Sequence, residues 1–162
     1  MKKSVAVTSA AAVLLLAACG SKSENSYSVD DKTGDSNATI TTDDGTVSMQ
    51  SGANVPVKLP RGFKLYPGAK VVSNTTIQQE SGSGALVIME SGDTPQEMAD
   101  YYRAQAESAG IEVKLQLSTD AGRMIAGESK DGVAFSFNAN RGEGSDAGKT
   151  SAQLMIGSKP GG

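Results

Sequence analysis

Apolar and polar residues alternate along the second half of the chain, a pattern typical of strands with one buried and one solvent-facing side. The alternation is clearest at Ile111, Val113, Leu115 and Leu117, whose intervening positions are charged or amide residues. Three further strands are predicted at residues 123–129, 133–137 and 150–156. Because the turns between these segments are short, the strands are expected to pair antiparallel.

The first half of the chain also contains strand-like runs separated by turn residues. Asp44-Gly45 lies between β-forming residues and predicts a hairpin over residues 38–49. A strand is predicted at 71–78, and the apolar run 85–89 predicts a buried central strand. Two prolines within 55–60 indicate an extended segment at the edge of the sheet.

Over residues 95–109 the spacing of the apolar residues changes from every second position to the three- or four-residue spacing of a helix. Thr94 can cap the helix N-terminus, Pro95 suits the first helical position, and Glu97 completes a capping box. Gly110 supplies a left-handed stop. Five apolar or aromatic residues recur on one face and predict the buried stripe: Met98, Tyr101, Tyr102, Ala106 and Ala109.

One helix can cover only one face of a sheet, so the element order predicts an α+β fold. The expected architecture is a two-layer sandwich of an antiparallel sheet and one main helix. The predicted domain spans residues 38–158, and residues 159–162 are expected to be a disordered tail.

The N-terminus has the pattern of a bacterial export signal over residues 1–18. Lys2 and Lys3 precede an apolar run that is shorter than the ~20 residues a membrane span needs. The run ends in Leu16-Ala-Ala-Cys19, which resembles the lipobox of bacterial lipoproteins. The resemblance implies cleavage before Cys19, acylation of its thiol and anchoring in membrane lipid. A signal peptide cleaved elsewhere is the alternative interpretation.

A lipidated Cys19 would place the protein outside the cytoplasm. In a Gram-negative host, Gly20-Ser21 lacks the Asp typical of inner-membrane retention, so the outer membrane facing the periplasm is expected. Residues 19–37 are rich in Ser, Asp and Lys and predict a disordered tether behind the anchor. A partner would then be a membrane-proximal envelope protein or polymer.

Composition excludes several classes of function. The chain has no His and one Cys, so it offers no Ser-His-Asp triad and no His- or Cys-rich metal site. Its net charge of −3, without a basic block, argues against nucleic acid as a partner. No cofactor or metal is predicted, because no other cluster has a ligand spacing.

The sequence 143–150 comes near a phosphate-binding loop, since Gly148-Lys149-Thr150 matches its end. Glu143 stands where the first glycine is needed, and the following residues predict a strand instead of a helix. A turn between strands is therefore favoured over a nucleotide site. Scattered carboxylates select no catalytic pair, and Ser without His lacks a general base, so no enzyme activity is predicted.

Four aromatic residues are left as candidates for a binding surface: Phe63, Tyr66, Tyr101 and Tyr102. The same spacing also suits a hydrophobic core, and both interpretations stay open. Phe63-x-x-Tyr66-Pro-Gly-Ala69, followed by a capped helix with Tyr101-Tyr102, resembles a loose group of small, uncharacterised envelope lipoproteins. We expect a non-catalytic binding or accessory module of the envelope. The alternatives are a structural or housekeeping envelope protein without a specific ligand and, less favoured, an enzyme of unrecognised type.

Overall fold

The computed structural model describes residues 24–42, 45–79 and 82–158. Within these ranges the chain forms nine strands and one α-helix, in the order β1 (Glu24–Val29), β2 (Ser36–Thr42), β3 (Gly45–Gly52), β4 (Lys70–Gln79), β5 (Gly82–Ser91), α1 (Pro95–Ser108), β6 (Ile111–Ser118), β7 (Gly122–Ser129), β8 (Val133–Arg141) and β9 (Thr150–Ser158). Short 3₁₀ turns lie at Pro60–Gly62 and Gly144–Asp146.

The nine strands form one antiparallel sheet with the order β1-β2-β3-β4-β5-β9-β8-β7-β6. Helix α1 packs across β6, β7 and β8, on one face of the sheet only. This two-layer arrangement confirms the predicted α+β sandwich with one main helix. The apolar run 85–89 lies in β5, between β4 and β9, and is central as predicted.

The face of the sheet beneath α1 is called the inner face, and the opposite one the outer face. The core fills the space between the inner face and α1. Val87, Phe137 and Leu154 contribute from the sheet, and Met98 and Tyr102 contribute from the helix, each with 0% exposure. Burying side chains of this size supplies ~1.5–3 kcal/mol each, so this layer is the main source of stability.

The segment 53–69 also covers the inner face, without joining the sheet. Val57, Leu59 and Leu65 pack against the core cluster. The prediction that residues 55–60 form an edge of the sheet is therefore wrong, although the prolines do exclude a paired strand. The turn at Pro67-Gly68 closes with Ala69 N–H donating to the Tyr66 carbonyl at 3.1 Å.

Residues 24–37 differ from the predicted disordered tether. Strand β1 pairs antiparallel with β2, and β2 pairs with β3 in the predicted hairpin, whose tip lies outside the described residues. Backbone hydrogen bonding to a neighbouring strand orders this polar stretch, which buries too little apolar surface to fold alone. Residues 1–23, including Cys19, lie outside the described residues, as do residues 159–162.

Strand β6 departs from its predicted alternation because of a bulge. The pairing register with β7 shifts between Val113 and Leu115. One extra residue reverses the face of every later side chain. Ile111 is buried as predicted, whereas Leu115 and Leu117 point to the outer face and are 49% and 55% exposed.

Helix α1 has the predicted caps. The Glu97 N–H donates to Thr94 Oγ1 at 3.2 Å, and the Thr94 N–H donates to Glu97 Oε2 at 2.9 Å. The Thr94 N–H and the Thr94 hydroxyl, which also donates to Glu97 Oε2 at 2.7 Å, lower the pKa of the Glu97 carboxyl below its ordinary value of 4.5. At the other end Gly110 has a φ of 75°, which suits a glycine.

The capping box predicts a pH-dependent loss of stability. A carboxyl whose pKa is lowered by folding stabilises the folded protein above its ordinary pKa, and the effect disappears as the pH falls through the lowered value. We expect Thr94→Ala to cost about 1 kcal/mol at neutral pH. The advantage of wild type over Glu97→Gln should shrink below pH 4.5 in urea denaturation series. A constant difference from neutral to acid pH would contradict the ionised cap.

Candidate functional site

The four aromatic residues singled out in the sequence lie in one cluster. The rings of Tyr66 and Tyr101 meet edge to face with centroids 5.1 Å apart, and Tyr101 meets Tyr102 in the same way at 5.2 Å. Tyr102 lies 4.6 Å from the ring of Phe137. Phe63 stacks on Phe135 at 5.6 Å. The cluster joins α1, the segment 60–66 and the inner face of the sheet.

Within this cluster, Phe63 and Tyr102 are core residues. Phe63 is 6% exposed and Tyr102 is 0% exposed. The Tyr102 hydroxyl accepts a hydrogen bond from the Tyr66 N–H at 3.0 Å and donates to Met89 Sδ at 3.5 Å. Burial raises the pKa of Tyr102 well above its usual value, so its hydroxyl stays protonated as a donor.

Tyr66 and Tyr101 are half-buried and reach the surface. Partial burial, together with the carboxylates of Asp93 and Glu97, raises the pKa of Tyr66 to about 12. The Tyr101 hydroxyl donates to the Leu65 carbonyl at 3.1 Å. The interpretation as core thus holds for Phe63 and Tyr102, whereas Tyr66 and Tyr101 lie between the core and the surface.

Side chains of α1 fasten the segment 60–66 along the helix. Gln105 Oε1 accepts from the Lys64 N–H at 2.7 Å, and Gln105 Nε2 donates to the Lys64 carbonyl at 3.1 Å. The amide therefore pairs with the backbone as a neighbouring strand would. With the bond from Tyr101 to Leu65, these contacts hold the segment at a fixed distance from the helix.

An open groove of about 290 Å³ lies between α1 and this segment. Its lining residues are Arg61, Gly62, Phe63, Tyr101, Ala104, Gln105, Ser108 and Ala109. Phe63, Tyr101 and Ala104 supply apolar surface. The polar groups are largely engaged already, because Gln105 bonds to Lys64 and the Ser108 hydroxyl donates to the Ala104 carbonyl at 2.7 Å. The groove is suited to a small apolar or aromatic group.

Arg61 is the one cationic residue among those that line the groove. It has a φ of 59°, which is uncommon for a residue other than glycine. Its guanidinium donates to the Asp131 carboxylate and forms an ion pair with it. This contact draws the side chain toward the β7–β8 turn, so a ligand with an anionic group would compete with Asp131 for Arg61.

Sequence reasoning did not identify Arg61, Gln105 or Ser108 as groove residues. Arg61 and Lys64 meet the helix only after folding, since Lys64 and Gln105 are 41 positions apart in the chain. The spacing of residues within either segment does not predict that the two segments will meet. The available signal was the aromatic set, which marks one wall of the groove.

A second polar feature lies under the segment 53–57, on the inner face of β4. Asn74 is fully buried, and its Nδ2 donates to the carbonyls of Val55 and Pro56 at 3.3 Å each. Among the described residues, Asn74 Oδ1 and Thr76 Oγ1 are buried without a hydrogen-bond partner. Asn74 thereby ties the segment to the sheet, at the cost of a buried oxygen without a partner.

The near match to a phosphate loop forms a turn between β8 and β9, as predicted. The Gly142 N–H donates to the Lys149 carbonyl at 2.8 Å, and Lys149 Nζ lies 3.5 Å from the Asp146 carboxylate. A strand follows this loop, in place of the helix that a phosphate loop requires. In the described part of the chain, no three His, Cys, Asp or Glu side chains converge as a metal site would need.

The proposed anchor cannot be placed in the fold, because Cys19 lies outside the described residues. Across the ranges that the structure describes, no helix combines the length and apolar character needed to cross a membrane.

Comparison with known families places the fold in a class. The START domain-like family model matches residues 71–152, which are half of the chain. The match runs from β4 through α1 into β9, the part of the fold that contains the helix and the groove-lining residues of α1. The chain therefore belongs to the START domain-like family. Domains of this kind are generally ligand-binding and not catalytic.

Strands β1, β2 and β3 precede the matched region. Comparison with curated proteins found no match. Comparison with solved structures found none either.

Proposed function

We propose that this protein is a membrane-anchored bacterial lipoprotein whose START-like domain is a non-catalytic binding module of the cell envelope. The observation that carries the proposal is the open groove beside α1, within a fold whose family is generally ligand-binding. The apolar part of its wall, beside polar groups that are bonded within the protein, suits binding of a ligand.

The ligand that fits the groove is a compact apolar or aromatic group. A volume of about 290 Å³ is just below the ~300–1,000 Å³ usual for small-molecule pockets. An open shape of this size suits one side chain or one terminal group of a larger molecule. This supports an envelope protein or polymer as the partner, with Tyr101 and Ala104 in contact with it.

The anchor is proposed to be Cys19, carried in the lipobox Leu16-Ala-Ala-Cys19. Two or more acyl chains give stable anchoring, where one gives only marginal binding. Strand β1 begins at Glu24, five peptide steps beyond Cys19. Those steps span at most ~18 Å. The domain would therefore sit much closer to the lipid headgroups than an 18-residue tether would allow, and its partner must reach that zone.

Labelled palmitate tests the anchor. We expect incorporation into wild type and none into Cys19→Ala, because acylation requires the thiol. Wild type should also remain with the membrane fraction through high-salt washing, while Cys19→Ala does not. Equal labelling of the two proteins would contradict lipidation at this residue.

A photo-crosslinking amino acid in the groove tests the binding role. Ala104 is exposed and lines the groove, whereas Glu107 is exposed on the same helix and does not. Crosslinking from position 104 in cells should trap one defined envelope component, at a yield several times that from position 107. Ala104→Trp in a chain crosslinked from Ser108 should reduce this product by filling the groove.

Equal, diffuse crosslinking from positions 104 and 107 would instead favour the alternative of a structural envelope protein without a specific ligand. The unfolding midpoint of each variant serves as the control. Both positions are exposed, so the fold should be retained.

A further inference from the structure

The outer face of the sheet carries most of the large apolar side chains that the described residues leave exposed. Register places eight of the nine on this face, the exception being Val72 at the bulge of β4. The eight are Tyr27, Val29, Ile40, Met49, Ile88, Leu115, Leu117 and Met155. Half-buried Val47, Ile77, Leu86 and Met124 lie between them. Large exposed apolar patches are uncommon on monomeric proteins and usually mark a surface of interaction.

In strands β1 to β3 the outer face is the apolar side of the alternation, although its side chains are exposed. Tyr27, Ala38 and Met49 lie opposite one another on the outer face. The inner face of the same strands carries Ser26, Thr39 and other small polar residues, and α1 does not extend over them. An antiparallel strand places its apolar residues toward the side that is covered. The cover on the outer side must therefore come from outside the described chain.

Charged residues on the outer face are confined to its ends. Lys70 and Glu90 lie opposite each other at one end, and Glu112 and Glu128 lie opposite each other at another. Between these two charged pairs, the cross-strand neighbours on the outer face have only apolar, hydroxyl or amide side chains or are glycine. Two copies of this face related by a twofold axis would therefore meet without like charges at the centre.

We propose that the outer face is a homodimer interface, on which a second copy of this chain packs its own outer face. Nine strands spaced ~4.8 Å apart, each at least six residues long at ~3.4 Å per residue, make a face of about 880 Å² or more. A standard stable interface buries ~800 Å² per partner. The two sheets would lie ~10 Å apart with strands near −30°, as in a β-sandwich.

The composition of this face favours a second copy over a lipid surface. Asn138 and Gln153 are cross-strand neighbours near its centre, between Ile88 and Met124. Burying such amides in lipid leaves them without hydrogen-bond partners, which costs several kcal/mol each. Across a twofold axis, amide and hydroxyl groups can bond to their symmetry mates. The inference is independent of the groove, which lies on the helix side of the sheet.

Two tagged copies of the full chain test the proposal. One copy carries a photo-crosslinking residue at Met155, and both are produced together in cells with different tags. We expect a product of twice the chain mass that carries both tags. The matched probe at Glu107, which is exposed on α1 and so lies on the opposite side of the molecule from the outer face, should give no such product.

Charge placed on the face should disrupt the pair. Ile88→Lys combined with Met155→Lys should weaken self-association at least about tenfold, because like charges would meet across the axis. Leu117→Lys is a second disrupting variant, at a leucine of the outer face that is 55% exposed. The same charge change on the helix, Ser108→Lys, should leave the pair intact. Unfolding midpoints check that each variant folds.

Three results would overturn the homodimer: a Met155 probe that crosslinks only lipid, one that crosslinks only a different protein, or a folded chain that yields no double-tagged product. Loss of the groove crosslink from position 104 with the dimer retained would overturn the proposed function alone. The homodimer and the proposed binding function can therefore be contradicted independently of each other.

Discussion

Tyr102→Ala is expected to destabilise the protein by about 3–5 kcal/mol, the usual cost of truncating a large aromatic residue in a core. Tyr102 is completely buried, and its ring contacts Tyr101 and Phe137. Small domains have a total stability of only ~5–15 kcal/mol. Chemical denaturation should therefore show a much lower midpoint, and the variant should be partly unfolded at 37 °C if wild type is near the lower limit.

Tyr102→Phe separates the hydroxyl from the ring. It keeps the packing and leaves the Tyr66 N–H without its acceptor, which should cost about 1–2 kcal/mol. A substitution that removes only the hydroxyl but costs as much as alanine would show that the hydrogen bond, and not the ring, stabilises this junction. Near-wild-type stability of Tyr102→Ala would contradict the core placement.

Gly127→Ala is expected to cost about 2–3 kcal/mol, because a side chain there has no space. A Cβ at position 127 would overlap the backbone carbonyl of Glu112 on β6. Backbone atoms cannot rotate away as a side chain does, so β6 would have to move off β7. Strand β6 is the edge of the sheet, so the damage should be concentrated there.

Hydrogen exchange locates the effect of Gly127→Ala. The amides of β6 should lose protection, while those of β5 and β9 keep most of theirs. Gly92→Ala is the matched control, since nothing lies within 4 Å of a Cβ built there. If both variants unfold at the same denaturant concentration as wild type, the close approach of β6 and β7 is wrong.

Local signals along the chain were sufficient for the helix. Thr94, Pro95, Glu97 and Gly110 act within one or two turns of the helix ends, so their meaning does not depend on distant residues. The aromatic set was found by the same reasoning, and the structure does bring its four members together. Their division into core and surface needed the position of the segment 60–66, which is fastened by Gln105.

Two other expectations failed for one physical reason, which is that strand pairing and its register depend on backbone hydrogen bonds that side-chain composition does not show. Residues 24–37 were predicted to be a disordered tether because they contain few apolar residues. The backbone pairing of β1 with β2 does not depend on apolar content. In β6, one bulged position turned Leu115 and Leu117 away from the core. A bulge leaves no mark in the alternation of the strand that carries it.

The sequence by itself determined the capped helix, the strand hairpins and hence the α+β class, while the export signal with its lipobox stays a prediction. Each depends on residues close together in the chain or on a simple period. Only the tertiary structure decided which strands adjoin, how β6 turns its leucines outward, where the groove lies and that most of the exposed large apolar side chains share the outer face. These features depend on contacts between residues tens of positions apart. They are fixed together when the inner face of the sheet is buried, because that burial supplies most of the stabilising free energy.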